Sequence, residues 1–103
     1  MLVLTTETVP GREVIPLGLV RGSTVRAKHI GSDIVASLRN LVGGEIREYA
    51  SLMAGAREQA LDRMIAEAEG LGADAVICTR FETSQIAQAA CEILAYGTAV
   101  KFA

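Results

Sequence analysis

Between Glu45 and Leu71 the side chains of Tyr49, Met53, Ala56, Ala60, Met64, Ala68 and Leu71 recur at steps of three or four residues, with Leu52, Leu61 and Ile65 widening the stripe. That period belongs to the α-helix, so the segment is predicted as one amphipathic helix of about 40 Å at about 1.5 Å per residue. In a chain of 103 residues a helix of this length needs a broad apolar surface to lie on. Gly55 is its weakest point, costing about 1 kcal/mol against Ala. Gly72 stands where a left-handed C-cap residue is wanted. The Met and Ala stripe reads as packing surface and not as a cofactor box.

The residues around the helix are strand-like. Leu2 to Thr6 and Glu13 to Val20 are β-rich runs separated by a Pro10-Gly11 turn signal, which predicts a hairpin. Pro16 has no amide hydrogen to give, so its strand should lie at an edge or carry a bulge there, and Gly18 and Gly22 permit bends or close backbone approach. "STVRAKHI", from Ser23, reads as a third strand, in which Arg26 and Lys28 alternate with Val25 and Ala27 and should make a solvated face. "SDIVASLRNLVGG" shows the period changing: Ser32 suits a helix N-cap, Asp33 its positive end, and Ile34, Leu38, Leu41 and Val42 repeat at helical spacing. After the long helix, Ala75 to Thr83 and Cys91 to Phe102 read as two further strands joined through "SQIAQAA". Gly97, inside the last one, requires close approach of another backbone or a large side chain, and the small-residue run "YGTAV" is suited to packing or to an interface. The predicted order is βββααββ, an α+β domain spanning residues 1–103 in which one short and one long helix cover a largely antiparallel sheet.

Half of the chain is apolar, yet there is no Trp and there are only two Phe and two Tyr. A domain this small buries only about 60 to 70% of its unfolded surface. Apolar surface is therefore expected to remain uncovered in a monomer, and self-association is the expected partner interaction. A formal net charge of -2 offers no field for nucleic acid or anionic lipid, so neither is expected as a partner. The apolar runs fall far short of the ~20 residues that cross a bilayer, and two cysteines are too few for a secreted disulfide scaffold; the chain reads as cytoplasmic.

Along nearly the whole chain, "TTETVPGREV", "LGLVRG", "SDIVASLRNLVGG", "AREQALDRMIAEAEGLGADAVI" and "AYGTAV" fall in an order that resembles the YbjQ-like bacterial proteins. The resemblance implies a small α+β subunit of dodecin-like fold, a ring-shaped homopentamer, and heavy-metal binding with no established reaction. The ion is unspecified; a soft or transition metal fits that description.

Candidate metal ligands are Cys78, Cys91 and His29. They do not form a structural zinc motif, which wants four Cys or His ligands, usually with paired spacing such as CxxC. If the last two strands pair about a loop centred near Ile86 and Ala87, Cys78 faces Ala95 and Cys91 faces Glu82. The thiols then stand about 13 Å apart at about 3.3 Å per residue, too far for a disulfide or a shared ion. A tight turn at Ser84-Gln85 would set the cysteines opposite each other but would leave "AYGTAV" without its partner strand. Either way the cysteines read first as small hydrophobes, and a metal site is expected only where subunits meet and ligands repeat around a ring.

No enzyme is indicated. Ser32, Ser37 and Ser51 lack a nucleophile elbow, the lone His29 has no triad motif, and the glycines show neither GxGxxG nor P-loop order. Glu82 and Glu92 would be near neighbours in the preferred register, but exposed strand carboxylates are commoner than tuned ones. Flavin binding, which a dodecin-like fold brings to mind, finds no Trp and few aromatics to stack on. Two readings follow: a metal-binding homo-oligomer, or a scaffold that binds a ligand or partner at its subunit interfaces.

Overall fold

A computed structural model describes residues 1–27, 44–87 and 90–103, with residues 44–49 described through their backbone alone. The described elements are β1 (Leu2–Val3), β2 (Val14–Ala27), α1 (Gly44–Gly70), β3 (Ala75–Ala87) and β4 (Ala90–Phe102). The short helix expected from Ser32 to Val42, together with Lys28 and His29, lies outside the described residues.

The long helix forms where its periodicity places it, and Gly55 does not interrupt it. Ala56, Ala60, Met64 and Ala68 make its fully buried stripe, and Met53, Leu61 and Ile65 pack along the margin. Its C-terminus is a Schellman motif: Gly72 takes a φ of 76°, the Gly72 amide donates to the Glu69 carbonyl at 3.0 Å, and the Ala73 amide donates to the Ala68 carbonyl at 3.1 Å. This closure turns the chain directly into β3.

The sheet is four-stranded in the order β1-β3-β4-β2. It is mixed, because β1 runs parallel to β3 while the other two pairings are antiparallel. The hairpin expected between the first two strands does not form. Pro10 and Gly11 do make a turn, with Gly11 at a φ of 78°, but the strands on either side of it go to opposite edges of the sheet. The physical reason is the sheet's second face. There Ala75, Ile77 and Val100 need cover, and Leu4, Val9 and Val14 supply it, so the chain crosses that face between β1 and β2.

The second and third predicted strands are one strand of 14 residues. Gly22 is not a bend in it. A Cβ at Gly22 would collide with the Ala60 carbonyl oxygen and the Met64 amide nitrogen, so the missing side chain is what lets α1 settle on β2. Pro16 behaves as expected: β2 is an edge strand, with a bulge between Pro16 and Gly18.

On the helix side, Val20, Val76, Ile93, Ala95 and Ala99 form the core with the α1 stripe. Gly97 is also the close approach that its place in a strand implied. A Cβ there would lie 2.7 Å from Val76 Cγ1 and 2.9 Å from the Ile77 carbonyl oxygen.

The β3–β4 register differs from the expected one. Ala95 faces Phe81 instead of Cys78, and Cys91 faces Gln85 instead of Glu82. Two irregularities absorb the difference, one between Ile77 and Arg80 and one between Gln85 and Ala87, and β3 continues through "SQIA" to place Ala87 opposite Ala90. Polar residues are compatible with this extension because β3 is exposed from Arg80 to Ala87.

Candidate functional site

Cys78 sits in the first β3 irregularity with a φ of 55°, a left-handed conformation that L-residues other than Asn and Asp seldom adopt. Backbone bonds from the N-terminal segment hold it there. The Cys78 amide donates to the Thr6 carbonyl at 3.0 Å and the Thr79 amide to the Leu4 carbonyl at 3.0 Å. Arg80 Nη1 ties the same turn together, donating to the carbonyls of Thr79 at 2.9 Å and Thr5 at 3.1 Å. The half-buried Cys78 packs with the cluster around Val9 and Val100. Next to it, Thr79 is 4% exposed and its Oγ1 is buried without a hydrogen-bond partner among the described residues.

Cys91 is half-buried in β4, opposite Gln85 on one side and Arg26 on the other. Gln85 is seven residues beyond Cys78, so the two thiols stand roughly 20 Å apart along the ladder at about 3.3 Å per residue. They are further apart than the expected register placed them, and one chain cannot bring both to a single ion. Among the described residues no three of His, Cys, Asp and Glu converge on a point where a metal could sit. His29 lies outside those residues. Glu82 faces Leu94 and Glu92 faces Ser84, which makes the two carboxylates diagonal neighbours.

A polar cluster that the structure does assemble includes one residue expected elsewhere, Arg26. Thr24 Oγ1 and Arg26 Nη2 both donate to Gln59 Oε1 of α1, each at 2.8 Å, and Arg26 Nε is buried without a partner among the described residues. Arg26 was expected on a solvated face. It lies under the helix instead, while Val25 is 54% exposed. The local alternation in "VRA" pointed the wrong way because it carries no information about which face α1 covers; Gln59, a polar residue on the helix, makes the Arg26 side the covered one. Arg63 Nη1 also reaches from the helix to the Ser23 carbonyl, at 2.6 Å.

The family pattern described as "Putative heavy-metal-binding" matches residues 1–103, the whole chain. The protein belongs to the YbjQ family. A YbjQ relative from Archaeoglobus fulgidus, named "UPF0145 protein", is 60% identical over 102 residues, covering 98% of this chain and 94% of the relative. The protein of the same name from Halorubrum lacusprofundi is 62% identical over 97 residues, with 93% of each chain covered. A crystal structure of a protein of unknown function in the DUF74 family, from Pediococcus pentosaceus, superposes with a TM-score of 0.65. It covers 100% of this chain and 98% of its own, at 14% identity, and so speaks to the fold alone. The α+β arrangement of this chain is thus shared with a distant structure, and no name among these relatives assigns a reaction.

Proposed function

We propose that this YbjQ-family chain is the subunit of a dodecin-like, ring-shaped homopentamer that acts in the cytoplasm as a heavy-metal-binding module without catalytic activity. The observation that carries the assembly is a set of apolar side chains left bare along β2 and the outer part of β3. Leu19 is 61% exposed, Val25 54%, Ile86 55% and Phe81 45%. The molecule measures 54 × 22 × 16 Å with a radius of gyration of 17.0 Å, against about 13 Å for a compact chain of 100 residues. Such a shape suits a subunit whose extended end is covered by other subunits.

The metal reading is supported by the family description and by the soft-ligand chemistry of the thiols. Because Cys78 and Cys91 of one chain are far apart, an ion shared between thiols requires sulfur from more than one subunit, and a ring supplies five copies of each. Light scattering on the untagged protein, coupled to size exclusion and followed by metal analysis, tests both parts. The expected result is a mass of five subunits and a soft or transition metal in fixed ratio to the ring, with soft-metal affinity lost in the Cys78→Ser, Cys91→Ser double variant. A stable monomer at micromolar concentration would overturn the assembly. A pentamer whose soft-metal affinity is untouched by the double variant would remove the cysteines as ligands. A pentamer with no affinity for any metal would leave the scaffold reading in its place.

A further inference from the structure

Among the described residues two strand edges of this sheet are open, and they lie on opposite sides of it at the same height. β2 has β4 as its strand neighbour and pairs with no described strand on its other side. β3 is flanked on its outer side by β1 at Ala75 and Val76, and the segment to Thr6 extends that contact to Cys78 and Thr79. From Arg80 to Ala87 the outer side of β3 pairs with no described strand. The registers put Arg21, Tyr96 and Arg80 in one row across the three strands, Ser23, Leu94 and Glu82 in another, and Val25, Glu92 and Ser84 in a third.

An open strand edge is a row of unmet amide and carbonyl groups, and proteins blunt such edges or pair them. The start of β2 is blunted by Pro16 and the bulge that follows it. From Leu19 to Ala27 the edge is regular, and Arg63 takes one of its carbonyls, that of Ser23. This leaves a run of nine residues on one side of the sheet and a run of eight, Arg80 to Ala87, on the other. Both carry exposed apolar side chains, Leu19 and Val25 on the first and Phe81 and Ile86 on the second.

We infer that the partner of the β2 edge is the β3 edge of a second copy of this chain, joined by strand addition between Leu19–Ala27 and Arg80–Ala87. The inference rests on the assembly reading above and specifies its interface. Each chain carries both halves of the contact, so the pairing is head-to-tail and leaves neither edge open. Since the two runs stand level on the sheet, each copy reaches the next by rotation with little rise, and such a contact closes into a ring instead of growing as a filament. A stagger of two residues, of the kind that closed sheets require, sets Arg21 against Glu82 of the neighbouring copy and Ser23 against Ser84 of the neighbouring copy.

Engineered disulfides test the pairing in the full chain with Cys78→Ser and Cys91→Ser as background. Ser23→Cys is combined with Ser84→Cys for the staggered register, or with Glu82→Cys for the level one. Within one chain β4 separates these positions by about 10 Å, beyond the ~7 Å limit for a disulfide, so only contact between copies can join them. Mild oxidation should convert one of the two double variants into a ladder of covalent multimers on non-reducing gels, while each single variant remains monomeric there. Covalent dimers from Ser23→Cys alone would show β2 meeting β2 and overturn the inference. So would the absence of cross-links in both double variants when light scattering reports a multimer, an outcome that leaves the assembly itself standing. A monomer by light scattering removes both.

Discussion

The base of the sheet and its far arm are built from the same strands, yet their surroundings differ. At the base, Ala75, Val76, Ala99 and Val100 are fully buried. α1 covers one face there, and the crossing segment with Val9 covers the other. In the arm, α1 lies over β2 and β4 while β3 is exposed from Arg80 to Ala87. Small residues make the covered region possible: bare backbone at Gly22 admits the helix and bare backbone at Gly97 admits β3. Large apolar residues face outward along the strands at both ends, Leu2 and Ile15 beside the base and Val25, Phe81 and Ile86 in the arm. The contrast teaches that the chain's own packing covers both faces of the sheet at one end, whereas at the other it leaves the outer strand bare.

The largest test of that contrast is Gly22→Val. Its side chain would meet helix backbone that cannot move aside without lifting α1 off β2, and a loss of about 3 kcal/mol or more is expected in urea unfolding. A loss below 1 kcal/mol would mean that the helix is not seated on the strand as described. Met64→Ala comes next. It removes the largest fully buried side chain among the described residues, with an expected cost of about 2–5 kcal/mol depending on how far the site collapses. Gly72→Ala should cost about 1 kcal/mol, since alanine resists the left-handed conformation of the helix cap.

Smaller effects are expected at two residues between base and arm, Thr79 and Leu19. Thr79→Val replaces a buried hydroxyl that has no hydrogen-bond partner among the described residues by a methyl group of similar size, so the midpoint of denaturation should stay put or rise by up to about 1 kcal/mol equivalent. A clear loss would reveal a bond to that hydroxyl. Leu19→Ser should change the unfolding free energy of the isolated subunit by less than about 0.5 kcal/mol while lowering the mass seen by light scattering at low micromolar concentration. An unchanged mass would exclude Leu19 from the contact between copies.

How much was legible beforehand varied from element to element. The long helix, its glycine stop, the Pro16 bulge and the close approach at Gly97 all followed from local stereochemistry, and each is present. The first strand's partner did not follow, because whether Pro10-Gly11 closes a hairpin or only bends a crossing segment depends on which face of a distant strand needs cover. The β3–β4 register was missed for a similar reason. A bulge at Cys78 has no signature in "ICTR"; it depends on carbonyls from Leu4 and Thr6 meeting β3 there. At the candidate site, sequence reasoning correctly separated the two cysteines but misjudged how far apart they lie. It also passed over the Thr24–Gln59–Arg26 cluster, which joins residues more than thirty positions apart.

By itself, then, the sequence determined what depends on neighbours along the chain: a helix from its 3.6-residue period, its termination at Gly72, strands from β-branched runs, and family membership from ordered motifs. Tertiary structure alone decided pairing, register and the covered face. Those are settled by competition among distant apolar surfaces for the same neighbours, and backbone propensity has no term for that competition.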